Sequence, residues 1–277
     1  MNRFSNAVKC ILKIIGYPLL YLTMQIAAGT TYIFILVLVL KIINGIADIE
    51  FPADLVSRIA QIQAPLIISM FATLFVIYFI NRKGWAEKRF WKAGEDSVVS
   101  VILCVILGAA LNFLTIFVIA IVYLMGLLPE DAVAPPAESL ILMIIGTGLI
   151  GPIVEEIIFR GIILKSLSEK INITAAIIIQ AILFAVIHFD VLQSSYTFVL
   201  GLVIGSVFIR KDSLWPAIAI HIAYNMTSII RTTFLQNISE EAFLILIGLS
   251  IPTVVLSLCM LYKKLSKADE KEIVKWQ

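Results

Sequence analysis

Uncharged apolar runs, each long enough to cross a bilayer, recur along the whole 277-residue chain. The first, Ile14 to Leu40, holds roughly 27 residues without a charge. At about 1.5 Å per residue such a helix outreaches a ~30 Å hydrocarbon core, so it must tilt or run into the interface. Runs of this kind leave little choice of fold, because in lipid every backbone N–H and C=O must be satisfied within the element or its closed sheet. A barrel would read as short alternating segments, and none recur here. The composition agrees, at 61% hydrophobic and 14% charged, against about 45–50% and about 25% in a soluble domain. The chain is therefore expected to be all-α, a polytopic bundle of about eight transmembrane helices.

The spans fall at Ile14–Leu40, Ile59–Ile80, within Ser97–Leu128, and at Ser139–Leu164, Ile173–His188, Ser194–Ile209, Leu214–Leu235 and Phe243–Tyr262. Asn172 or Thr174 can cap the fifth. Pro135-Pro136 breaks the chain before the fourth. The segments between spans alternate in charge. Basic stretches lie at the N-terminus (Arg3, Lys9, Lys13), 82–92, 165–170, 210–211 and in the tail, while 41–58, 129–138, 189–193 and 236–241 carry acids or little charge. By the positive-inside rule both termini are expected in the cytoplasm. Trp85, Phe90 and Trp91 among the bases of 82–92 suit an interfacial segment against membrane lipid. The net charge of +2 comes from such boundary residues, so no nucleic acid is expected as a partner. Cys10, Cys104 and Cys259 are odd in number and scattered, which argues against disulfides and a cysteine metal site. The first run is too long for a cleaved signal peptide and reads as a retained span. No repeat or linker divides residues 1–277, read as one membrane domain.

One stretch breaks the pattern. Ser139 to Val154 carries no charge, and then Glu155-Glu156-Ile157-Ile158-Phe159-Arg160 places two acids and a base inside a span. A charge at bilayer depth costs at least about 2.5–3.5 kcal/mol. Glu156 and Arg160 are four apart with the acid first, the favourable order for a helical ion pair. That pair reads as scaffold, and Glu155, pointing about 100° away, is left over. Both histidines of the chain also sit in spans: His188 closes Phe184-Ala185-Val186-Ile187-His188, and His221 opens His221-Ile222-Ala223-Tyr224-Asn225. His221 and Asn225 share a helix face.

Glu155, His188, His221 and Asn225 admit two chemical readings. A carboxylate with an imidazole can deprotonate a water while a second imidazole and an amide stabilise an oxyanion. Alternatively Glu155, His188 and His221 are ligands for zinc, with a second carboxylate as base. Both readings lead to amide hydrolysis. The His-Glu-x-x-His zinc helix does not occur, so the metal reading lacks its best sequence support. Taken singly, each residue also has a structural reading: mid-span histidines and asparagines bond helices together, and Arg231 can snorkel at a span end. The competing function is non-enzymatic, a proton-coupled carrier or a bacteriocin-immunity partner, since such groups also serve a proton relay. Transporters commonly show repeats in both halves, whereas these polar groups crowd into the C-terminal half.

Glu-Glu-x-x-x-Arg at 155–160, Phe-x-x-x-His at 184–188 and His-x-x-x-Asn at 221–225, on successive apolar helices, resemble the CAAX prenyl protease and bacteriocin-processing (Abi) family of intramembrane endopeptidases. Gly161 and Leu214-Trp215-Pro216 also look like the family. The likeness covers about 139–230, expected to be the catalytic core; the first three spans carry no such signal. It implies a helical bundle with a water-accessible cavity, in which Glu155 and His188 activate water and His221 and Asn225 stabilise the oxyanion. Glu156, Arg160 and Phe184 would support the site. Family members are described both as metalloproteases and as metal-free. Their substrates are membrane-associated peptides or proteins, lipidated in eukaryotic relatives and tied to bacteriocin immunity, peptide maturation or surface display in many bacterial ones.

One shared site raises a difficulty of depth. Counted from Lys165, Glu155 lies about 15 Å deep, while His188 counted from Lys170 lies about 27 Å deep. The fifth helix is therefore expected to tilt strongly, to begin below the bilayer or to bend.

Overall fold

The computed structural model describes residues 2–47, 64–81, 98–126, 140–235 and 238–263, which form helices joined by short turns, with no strand among them. In chain order the helices are α1 (Asn2–Ala47), α2 (Ala64–Asn81), α3 (Val98–Leu124), α4 (Leu140–Ser168), α5 (Ile173–Val186), α6 (Val191–Lys211), α7 (Leu214–Phe234) and α8 (Glu240–Lys263). The fold is the expected all-α membrane bundle. Five helices, α1, α3, α4, α6 and α8, contain stretches long and apolar enough to cross a membrane. The aromatic-and-basic segment 82–92, the proline segment 129–138 and the tail from 264 lie outside the described residues.

Three of the boundaries that differ from expectation have a local reason. α1 continues to Ala47 through residues read as a loop, because nothing from Lys41 onward forces a stop before Ile46-Ala47. α4 continues past Leu164 to Ser168, since Lys165-Ser-Leu-Ser still presents Leu167 to the core, where it is buried. α5 ends at Val186, so His188 stands in the turn and not in the helix. Phe189 there has φ of 54°, a left-handed conformation that no helix continues through. These changes remove the difficulty of depth. Glu155 precedes the end of α4 by thirteen residues, and Val186 follows the start of α5 by thirteen, so the two rise to the same level from the turn at 169–172.

Side chains define the turns. Asn172 accepts a hydrogen bond from the Thr174 N–H at 2.9 Å and caps α5. Asp190 accepts from the Gln193 N–H at 2.6 Å and caps α6. Ser213 caps α7 by accepting from Trp215 N–H, with Pro216 in the first turn, where its missing N–H is tolerated. These caps fix where α5, α6 and α7 begin, and so the level of every side chain they carry.

α4 alternates in winding: 140–143 α, 144–150 π, 151–156 α, 157–164 π and 165–168 α. Such insertions widen a helix and are frequent at functional positions. In the first wide segment the Gly151 N–H reaches Gly146 O, five residues back. The next donor in that register would be residue 152, but Pro152 has no N–H, so the Thr147 carbonyl has no intrahelical donor in this register.

The helices close on a dry centre in which Ile158, Phe159, Ile163, Leu164, Phe184, Ile204 and Ile220 are fully buried. α3 runs against α7 so closely at Gly108 that an added Cβ would run into the Ile220 carbonyl oxygen and crowd Ala223. Small residues permit such approaches where lipid supplies no hydrophobic drive between helices. α1 turns most of its surface outward, with Ile26 and Phe34 about two-thirds exposed, but buries Tyr17 and Tyr21. That inward strip brings α1 to the site.

Candidate active site

The two glutamates occupy the narrow α-wound part of α4, between its two wide segments. Successive positions there point about 100° apart, and the neighbours separate accordingly. Glu156 is fully buried, whereas the Glu155 side chain keeps 15% exposure. Glu156 Oε1 accepts a hydrogen bond from Arg160 Nη1 at 2.8 Å, and both side chains are shut off from solvent. Two opposite charges in contact offset part of the cost of burying either. This is the ion pair expected from the spacing.

The same Glu156 oxygen lies 2.7 Å from His221 Nδ1. A carboxylate can only accept, so Nδ1 carries the proton. His221 Nε2 then faces Glu155 Oε2 at 3.7 Å, too long for a direct hydrogen bond and short enough for one water to touch both. Arg160, Glu156, His221 and Glu155 thus form one chain. Glu156 is more than scaffold, because it fixes the tautomer and orientation of His221 in the manner of a carboxylate behind a catalytic or metal-bound imidazole.

Glu155 has a second partner that sequence reasoning missed. Tyr21 of α1 donates its hydroxyl hydrogen to Glu155 Oε1 at 3.1 Å, and Tyr21 is 2% exposed on an otherwise outward-facing helix. The signal was there in outline: Tyr17, Tyr21 and Gln25 follow one another at four-residue spacing, a polar-tipped strip down one face of an apolar run.

His188, in the turn after α5, holds the Phe184 carbonyl through Nδ1 at 2.8 Å, so its Nε2 is left as the acceptor nitrogen. Phe184 lies between the two imidazoles. Its ring meets His188 edge-on at 5.1 Å and His221 edge-on at 5.7 Å. It also packs on Phe159 at 5.1 Å and lies under the Arg160 guanidinium at 4.7 Å. One buried aromatic ring therefore touches both histidines and Arg160.

Asn225 completes the set from α7. Its Nδ2 donates to the Thr147 carbonyl at 2.8 Å, a group to which Pro152 cannot donate. The tie has a structural purpose and a positioning one, since it fixes the amide beside the cavity and leaves its second N–H and its oxygen.

Glu155, His188, His221 and Asn225 line a single cavity of about 720 Å³, together with Tyr21 and Arg231. This is the size of a cleft for a small ligand or a few peptide residues. Zinc needs three or four donors converging on one point. Among the described residues no three His, Cys, Asp or Glu side chains are gathered so as to hold a metal ion.

The arrangement can do two things at one point. It holds the Glu155 carboxylate beside the His221 imidazole, close enough for one water to touch both, and it backs that imidazole with the buried Glu156 carboxylate. A family model described as type II CAAX prenyl endopeptidase Rce1-like matches residues 137–227. The protein named "Putative membrane peptidase YdiL" of Bacillus subtilis (strain 168) is 30% identical over 198 residues, covering 66% of this chain and 79% of that one. No solved structure matches the chain.

Proposed function

The chain belongs to the Rce1-like CAAX prenyl endopeptidase family of membrane proteases, and we propose that it hydrolyses a peptide bond of a membrane-associated or lipidated substrate with Glu155 as general base. The observation that carries this reading is the chain Arg160–Glu156–His221–Glu155, set in a cavity shared with His188 and Asn225.

A water between Glu155 and the imidazoles gives its proton to the Glu155 carboxylate as its oxygen attacks the scissile carbonyl. Tyr21 holds one oxygen of that carboxylate and leaves the other, which faces His221, for the proton. His188, its Nδ1 committed to Phe184 O, presents Nε2 to accept a hydrogen bond from the same water and align it. Negative charge grows on the carbonyl oxygen. An N–H at His221 Nε2 and the spare N–H of Asn225 donate to it. Preformed donors in a water-poor site are worth most when the charge develops, because nothing must reorganise. Collapse of the adduct breaks the C–N bond, and the proton on Glu155 passes to the leaving amine.

Water activation by the carboxylate needs no metal, so turnover is expected to survive chelation. The topology that suits this chemistry places both termini in the cytoplasm, as the loop charges indicate.

Peptide cleavage by purified protein tests the reading. His188→Ala and His221→Ala should each lower kcat by about 10²-fold or more, the usual share of a positioned acid–base or oxyanion group, with little change in melting. Cleavage at the wild-type rate by both variants would overturn the assignment.

A further inference from the structure

α3 brings to the cavity a side-chain amide that the chemistry above does not use. Asn112, the only amide side chain of that helix, lines the same cavity as Glu155 and His221. It is 3% exposed, and its Oδ1 is buried with no hydrogen-bond partner among the described residues. Asparagines in membrane helices ordinarily bond one helix to another. That role needs a partner, and no described residue donates to this oxygen. Of the described residues lining the cavity, Asn112 alone carries a buried acceptor in this state. Such an oxygen is suited to a donor brought by the ligand, because a buried acceptor left unmade costs more than the bond itself is worth.

The position of Asn112 says which donor. One helical turn before it, Gly108 meets Ile220 O and Ala223 of α7 so closely that a Cβ has no room. Just after it, Thr115 Oγ1 accepts from the Tyr224 hydroxyl at 3.1 Å. Asn112 is thereby held at the level of the α7 turn that carries His221 and Asn225, the groups proposed to receive the scissile carbonyl. A peptide in a cavity inside lipid brings N–H and C=O groups that bulk water no longer serves. Along an extended chain the residues recur every ~3.3 Å, so a backbone N–H falls close to that carbonyl. Resting on the proposed active site, we infer that Asn112 Oδ1 accepts a backbone N–H of the substrate beside the scissile bond. The reacting groups then come from α4, α7 and the turn after α5, while α3, outside the family match at 137–227, holds the peptide extended against them. This contact reads backbone and no side chain, so it serves substrates of differing sequence.

Binding of ester-substituted peptides tests this without reading turnover. Glu155→Gln protein in detergent is titrated with a prenylated CAAX peptide and with analogues in which one backbone N–H at a time is replaced by an ester oxygen. One ester should bind at least about tenfold more weakly than the parent peptide, the loss expected when a buried acceptor is left without its donor. Adding Asn112→Leu should weaken binding of the parent and erase the difference between it and that ester. Adding Asn112→Asp, which keeps an acceptor, should preserve the difference. If Asn112 only braces the fold, Asn112→Leu weakens all the peptides alike and the ester stays disfavoured, a result that overturns the inference. Equal binding of the parent and every ester by protein with Asn112 intact also overturns it, because the oxygen then serves only solvent. That comparison is readable even where Asn112→Leu fails to fold. Absence of binding by every peptide overturns it too. Cleavage seen or lost in Glu155→Gln bears on the base chemistry alone.

Discussion

Glu155 and Glu156 are adjacent in the chain and meet His221 from opposite sides, Glu156 at Nδ1 and Glu155 across from Nε2. The i,i+4 rule made the Arg160 contact of Glu156 legible in the sequence. It could not show that the same oxygen reaches a histidine on α7, because a pattern within one helix says nothing about the helix opposite. The two carboxylates should therefore respond differently to substitution. Arg160→Ala takes the buried guanidinium from Glu156 and leaves it His221 alone, a change that costs about 3–5 kcal/mol, and a fall in melting temperature with reduced expression is expected. Tyr21→Phe removes only the hydroxyl that holds Glu155. A hydrogen bond to a charged group is worth about 1.5–3 kcal/mol, so kcat should fall about tenfold or more at unchanged stability, checked by steady-state kinetics beside a thermal melt. Unchanged kcat would make Tyr21 a packing residue.

The helices place these groups through features that hydropathy does not carry. In α4 the run Ser139–Val154 is apolar on every side, so no periodicity separates α from π winding. Its one audible signal is Gly151-Pro152, and the structure sets that signal beside a partner: Pro152 cannot donate to the Thr147 carbonyl, which accepts from Asn225. Pro152→Ala restores a donor in the chain next to that carbonyl. It is expected to loosen Asn225 and lower kcat about as far as Asn225→Ala does, with no loss of melting temperature. If Pro152→Ala keeps full activity while Asn225→Ala loses it, the positioning role of Pro152 is wrong. The turn after α5 was misjudged for a related reason, since Phe184 to His188 has the spacing of one more helical turn. The left-handed Phe189 ends the helix, and short α5 lifts His188 to the level of Glu155. At the α3–α7 crossing, Gly108→Val inserts a side chain against backbone. A loss of about 1–3 kcal/mol or more is expected from overpacking, and it should lower activity through His221, which follows Ile220.

As a bundle, the molecule was legible as far as hydrophobicity could make it so. Long uncharged runs require helices in lipid, and eight helices form among the described residues. Which helices touch was not legible, because one apolar face resembles another and lipid is as apolar as either. That is why Tyr21, 134 residues from Glu155, escaped notice while three motifs within 155–225 did not. The loop charges predict both termini in the cytoplasm, and a reporter fused at either end should be active only on that side. An external C-terminus would invert the expected entry of substrate. The central claim is chemical, and one comparison addresses it most directly: cleavage of a prenylated CAAX peptide in liposomes by wild-type protein and by Glu155→Gln, each with metal removed by chelation. Wild type is predicted to turn over undiminished, and Glu155→Gln, matched in size and fold, to fall by at least about 10³-fold. Cleavage by Glu155→Gln at the wild-type rate, or wild-type turnover abolished by chelation and restored by zinc, would contradict it.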